Sequence, residues 1–321
     1  MLPHKTKQFF FVLIKLSIVV AAFYFIYHKL VNNNELSFYD FKENIIKNDA
    51  FSPKIIIFLI LLSSFNWFFE ILKWQNLVST QEKTSFKQAT NQTLGSLTAS
   101  LITPNRIGEY GAKAMYFTKN LRKRIMLVNL IGNLQQMSVT VVLGIIGLYF
   151  FVSKYNLDLN YYRLSKYTTI GFVLICLIIF ILRKTKFIFK GFSIEKLKMF
   201  ILNFQKTNLS IGFLLSFLRY AIFSFQFYFL LQCFHVEIDY FNSMIGITSM
   251  YLLASIIPTI FIFDVVIKGS VAVYLFSFLG VNELIILCVI TIMWLLNFVL
   301  PSIIGSFFVL RFKMPKTIIN S

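Results

Sequence analysis

Apolar runs recur from one end of this chain to the other, and most are long enough to cross a bilayer as a helix. They fall at Phe9–Tyr27, Ile55–Trp74, Ile125–Val152, Thr168–Leu182, Ile211–Cys233, Phe241–Phe263 and Leu284–Leu310, with a shorter piece at Ile267–Leu279. A soluble domain gathers its apolar residues around one core. Here 57% of residues are hydrophobic, 14% are charged and the mean hydropathy is +0.73, with no polar stretch long enough for a separate soluble domain. Hydrocarbon offers no partner to a bare N–H or C=O, so such runs are satisfied only as helices that pair their own backbone. The expectation is an all-α polytopic integral membrane protein, a single domain over residues 1–321 with about eight transmembrane helices. Lys87–Ile102 is too short and too polar to cross and is expected as a re-entrant or interfacial segment. Phe9–Tyr27 follows Lys5 and Lys7 but lacks an A-x-A cleavage pattern, so it reads as a signal anchor.

The formal charge of +18 would suggest nucleic acid in a soluble protein. Its distribution argues for a membrane instead. The N-terminus, residues 73–124, residues 183–207, Lys268 and the C-terminal tail hold 22 of the 31 Lys and Arg. The alternate loops hold 7, and Lys15 and Arg219 fall inside apolar runs. That asymmetry places both termini in the cytoplasm of a multi-pass protein of the bacterial inner membrane. No nucleic-acid partner is expected, because the aromatic residues sit inside apolar runs. Cys176, Cys233 and Cys288 also lie in apolar runs without CxxC spacing, and His4, His28 and His235 are scattered. No metal and no cofactor is expected.

A polar turn, Thr103-Pro104-Asn105-Arg106-Ile107-Gly108-Glu109-Tyr110, interrupts this pattern. Breaks of this kind are common where a membrane protein handles something polar. A helix starting after Gly108 would aim its N–H groups and positive dipole end at an anion, and Arg106 and Glu109 either pair locally or flank a headgroup. A second break runs from Pro258 to Asp264, Lys268 and Gly269, and each break is followed by Gly-x-x-Ala-x-Tyr. Arg219 lies on the order of 12 Å inside the run that starts at Ile211, counting 1.5 Å per residue. It either pairs for structure or meets a phosphate or carboxylate. Ser216, Arg219 and Gln226 form one polar stripe; Asn129, Asn133, Gln136 and Thr140 form another. The second stripe either glues helices together or lines a polar track. Glu70 and Lys73 read as an interface ion pair near the inner end of their helix.

At these residues the chain resembles the flippase-like transmembrane family named after lysylphosphatidylglycerol synthase. Thr103 through Glu109 resembles that family's T-P-G-R-x-G-E turn, with Asn105 in place of its glycine. Leu72-Lys73-Trp74 is similar to its basic-Trp helix end, and Leu218-Arg219-Tyr220 with Gln226 to its R-Y…Q span. Pro258 through Ser270 resembles a P…D-L-G-x-R-G-S motif, with Lys268 for its arginine; Trp294 through Asn297, with Pro301 and Gly305, resembles its last helix. The resemblance implies the lipid-handling membrane part. The soluble synthase domain that follows it in aminoacyl-lipid synthases is not expected here, since the sequence ends at Ser321.

Three functions stay open at this point. The first is binding and translocation of an anionic, aminoacylated or polyprenyl-linked lipid, with Arg106, Glu109, Asn133, Gln136, Arg219, Gln226, Asp264 and Lys268 as headgroup residues. In that reading Pro104, Gly108, Pro258 and Gly269 supply the structural breaks. The second is a non-catalytic accessory subunit of a cell-envelope enzyme. The third is a membrane-embedded transferase with Glu109 or Asp264 as base, although no G-x-S-x-G, HExxH or P-loop motif is present. No enzymatic activity is the favoured expectation.

Overall fold

A computed structural model describes residues 52–101, 103, 107–155, 188–189, 192–193, 199–256 and 264–315. Its helices are α1 (Pro53–Val78), α2 (Phe86–Ser100), α3 (Gly108–Met115), α4 (Arg122–Tyr155), α5 (Lys206–Cys233), α6 (Tyr240–Ile256), α7 (Asp264–Ser277), α8 (Glu283–Trp294) and α9 (Leu300–Arg311). A π-helical turn, Leu295–Val299, joins α8 to α9. The one β element among the described residues is a small hairpin in which Ile188–Phe189 pairs antiparallel with Phe192–Ser193.

Among the described residues, four helices are long and apolar enough to cross a membrane: α1, α4, α5 and the continuous α8–π–α9 rod. They coincide with four of the expected crossings. Phe9–Tyr27 and Thr168–Leu182 lie outside the described residues. Of the segments expected at Phe241–Phe263 and Ile267–Leu279, the described parts fall on α6 and α7, helices of 17 and 14 residues, and residues 257–263 lie outside the described part. The segment expected to be re-entrant or interfacial is α2, a 15-residue helix started by a capping box in which Ser85 and Gln88 satisfy each other's backbone N–H.

Cross-helix pairs fix the directions. Leu59 meets Gln226, Asn66 meets Arg219 and Asn76 meets Asn208, so α1 and α5 run antiparallel over their whole length. On α4, Gly144 and Gly147 let Leu252 and Thr248 of antiparallel α6 approach the backbone closely. Gly305 does the same for α2: an added Cβ would land on the Leu94 carbonyl and the Thr98 hydroxyl.

Two large apolar cores result among the described residues, with smaller clusters around Leu101 and around Trp67 and Leu97. One joins Leu59 to Phe227, Ile247, Phe276 and Cys288 on α5–α8; the other joins Trp74, Leu77, Ala89, Ala114, Phe117 and Val128 on α1–α4. On α1 the residues between the two, Ser63 to Glu70, carry the polar groups described next. Outward-facing Phe58, Leu61, Phe65, Ile145, Phe213, Leu214, Ile303 and Phe307 are exposed. That much apolar surface on four long helices is suited to hydrocarbon and not to water.

Candidate headgroup site between the helices

The π turn of the last rod is where the polar groups begin. Pro301 has no N–H to offer the carbonyls four and five residues before it, which belong to Asn297 and Leu296. α1 fills both vacancies. Trp67 Nε1 donates to the Asn297 carbonyl at 3.1 Å, and Ser63 Oγ donates to that of Leu296 at 2.6 Å. The Asn297 side chain, turned inward by the same distortion, accepts from Asn66 Nδ2 at 2.8 Å and donates to Gln226 Oε1 at 2.8 Å. Gln226 in turn donates to the Leu59 carbonyl at 3.0 Å. Three helices are thereby held at one amide, which is 6% exposed.

Asn66 passes the chain to charge. Its Oδ1 accepts from Arg219 Nε at 3.0 Å, and Arg219 Nη1 reaches Glu70 Oε2 at 2.7 Å. Lys73 shares that same oxygen at 2.6 Å. Glu70 and Lys73 do form the expected ion pair, and the protein encloses it: the side chains are 8% and 3% exposed. Arg219 also lies over the Trp67 ring, 5.7 Å from its centre, and its side chain keeps 21% exposure. It is the most open member of the group. α5 begins at Lys206, one polar turn before the apolar run at Ile211, so Arg219 stands about 20 Å from the start of its helix at 1.5 Å per residue.

A second pair lies on α3. Glu109 and Lys113, one turn apart, meet at 2.8 Å, and Lys113 Nζ donates to Asn129 Oδ1 of α4 at 2.8 Å. The ammonium sits 4.2 Å from the centre of the Trp74 ring, which ties this pair to α1 one residue from Lys73. Trp74 Nε1 donates to Gln92 of α2 at 2.7 Å. Among the described residues, three cations and two carboxylates are thus enclosed by α1, α3, α4 and α5.

The remaining expected residues distribute as follows. Gly108 does open a helix, but its N–H is taken by Thr103 Oγ1 at 2.9 Å, so that donor is not free for an anion. Asn133 donates to Tyr110 of α3 at 2.9 Å and Gln136 to the Ser216 carbonyl of α5 at 3.4 Å. The amide stripe of α4 therefore joins helices, while Asn129 Nδ2 and Gln136 Oε1 are buried without partners among the described residues. Pro104, Arg106 and Pro258 lie outside the described residues. Asp264 is the first residue of α7, its side chain outside the described part; Lys268 is exposed and Gly269 buried on the same helix. α7 packs on α6 and α8.

Sequence reasoning did not single out Asn66, Trp67, Lys113 or Gln92, and gave Asn297 no role beyond the resemblance. Ser63, Asn66, Trp67, Glu70, Lys73 and Trp74 repeat at spacings of three and four, a polar stripe on one face of α1 that carried the signal.

Long apolar helices closed around a shared set of buried charges define a helical multi-pass membrane protein. More narrowly, the model of the family described as "Lysylphosphatidylglycerol synthase TM region" matches residues 12–305, and the chain belongs to that family. No curated protein and no solved structure matches it. The family relation supports a lipid-related role in the membrane.

Proposed function

We propose that this protein binds a lipid with an anionic headgroup and moves it between leaflets without changing it covalently. The phospholipid, aminoacylated or polyprenyl-linked lipid would present its phosphate to Arg219, at the open end of the charged group. One observation carries this reading. Arg219, Lys73 and Lys113 outnumber Glu70 and Glu109 among the described residues, in a setting where an uncompensated charge is costly. A phosphate oxygen would balance the excess, and a guanidinium binds it in two-point geometry.

In the same reading the chain has about eight crossings with both termini cytoplasmic in the bacterial inner membrane, and the segments around the two breaks move to expose the site alternately. Leaflet exchange of fluorescent anionic lipids in proteoliposomes, read by dithionite quenching, tests the proposal. Wild type is expected to accelerate exchange and Arg219→Gln to remove the acceleration while still inserting and folding. Full exchange by a folded Arg219→Gln protein would refute the headgroup assignment. Exchange no faster than in protein-free vesicles would refute translocation.

A further inference from the structure

Beside the charged group, at the turn from α1 into α2, is a cavity of about 160 Å³ lined by Glu82, Thr84, Gln88, Asn91, Gln92 and Tyr116. That is several times the ~30 Å³ share of one water molecule. Every lining residue is polar or carries a hydroxyl, and none is a cation. A phosphate would meet the Glu82 carboxylate here with no positive partner in the lining, so this cavity and the Arg219 region select different chemistry.

The hydrogen bonds show which groups are left for a ligand. Gln92 is 6% exposed, and its Oε1 is already taken by Trp74. Its Nε2 makes no hydrogen bond to the described residues, and the residue lines the cavity. Gln88 uses Oε1 for the Ser85 backbone, which leaves its Nε2 free as well. Tyr116 donates to the Asn91 carbonyl at 3.0 Å, which leaves its oxygen able to accept. The side chains of Asn91 and Glu82 make no hydrogen bond to the described residues. Amide donors and carboxylate, amide and phenol acceptors therefore share one polar lining, with Gln92 buried at its base and Glu82 and Gln88 exposed at its rim. A hydroxyl both donates and accepts, so a row of hydroxyls matches such a lining, and a buried amide donor rejects ligands that cannot accept from it.

We propose that this cavity binds a polyhydroxylated group, a sugar ring or a glycerol unit, through Gln92, Asn91 and Glu82. The source of that group is either the headgroup of a lipid or a free polyol. Only the lipid source rests on the lipid-handling function proposed above. Gln92, Trp74 and Lys113 form a continuous connection from the cavity to the buried charges, with the polyol at one end and the ammonium at the other. A headgroup carrying both hydroxyls and a phosphate would engage the two together.

The test is titration of the full chain in phosphatidylcholine nanodiscs with glycerol, methyl glucoside and ethanolamine. Tryptophan fluorescence reports on Trp74, and calorimetry reads the same binding independently of it. The polyols are expected to give a saturable response that Asn91→Ala weakens at least tenfold. Nanodiscs containing a glucosyl diacylglycerol separate the sources. Saturation by the lipid, reversed by methyl glucoside, identifies a headgroup site; response to the free polyols alone identifies a soluble ligand. Arg219→Gln is expected to retain polyol binding whatever it does to leaflet exchange, so the two proposals fail separately. Ethanolamine binding that Glu82→Gln abolishes, with the polyols silent, would overturn the inference in favour of an amine. No response to any polyol, free or lipid-borne, by protein with an intact thermal transition would overturn it outright.

Discussion

Glu70 is the residue whose removal separates a buried charge group from a set of independent surface pairs. Its Oε2 serves two cations at once, Lys73 at 2.6 Å and Arg219 at 2.7 Å, with the carboxylate side chain 8% exposed. Glu70→Gln preserves size and removes the charge, leaving Lys73 and Arg219 without that carboxylate. Breaking a buried pair from one side costs about 3–5 kcal/mol. Arg219→Gln is a smaller perturbation. It leaves Glu70 neutralised by Lys73, and it removes a group whose 21% exposure already gives it a polar surrounding. The loss there is about 1.5–3 kcal/mol, that of one hydrogen bond to a charged group. The expected order is therefore Glu70→Gln above Arg219→Gln. The double substitution should fall short of the sum by about 0.5–3 kcal/mol, as for residues in direct contact. Denaturation in mixed micelles with increasing SDS, followed by tryptophan fluorescence, is a suitable assay because Trp67 and Trp74 flank Glu70 on α1. An Arg219→Gln loss as large as that of Glu70→Gln would refute the shared-carboxylate reasoning. So would a Glu70→Gln loss below about 1 kcal/mol, the range of exposed pairs.

Asn297→Leu removes the amide that joins Asn66 and Gln226 and leaves both buried without it; a loss of about 2–4 kcal/mol is expected in the same assay, and none if the π turn is held by Ser63 and Trp67 alone. Gly305→Ala forces a methyl against the Leu94 carbonyl and should push α2 from the last rod at a cost of about 1–3 kcal/mol; an unchanged melting temperature would show that the close approach has slack. Burial pushes the Tyr116 phenol up to about 12 from 10.0. The folded state therefore holds that proton more tightly than the unfolded one, and the associated stability, present below pH 10, is lost as pH rises toward 12. The absorbance of phenolate, titrated in wild type and Tyr116→Phe, should differ by a step near pH 12; a difference centred at pH 10 would contradict the burial.

The parts of this molecule that were legible in the sequence are those governed by length and period. Apolar runs located α1, α4, α5 and the α8–α9 rod because a bilayer demands a minimum helix length whatever the neighbours do. The start of α3 at Gly108 followed from a polar turn with Pro and Gly, and Arg219 and Gln226 stood out because polar residues are rare in such runs. What these residues touch was not legible, since contact partners come from other helices. For Glu109 the sequence left open a local pair with Arg106, which lies outside the described residues, or a place beside a headgroup; it did not point to Lys113 one turn later, which a helix starting at Gly108 brings to the same face. Glu70 and Lys73 were readable as an ion pair from their spacing; that antiparallel α5 covers them with Arg219 was not. Pro301 is the more instructive case. A proline in an apolar run reads as a kink, and its consequence, two carbonyls on the preceding turn open to donors from elsewhere, became specific only when Ser63 and Trp67 stood opposite. The same polar stripe on α1 thus fastens the last helix at one end and holds the charged group at the other. Asn66 belongs to both, so under the proposed translocation a movement that opens the Arg219 region would strain or break its bonds to Asn297 and Arg219, and the Asn66–Arg219 contact would couple helix motion to headgroup binding.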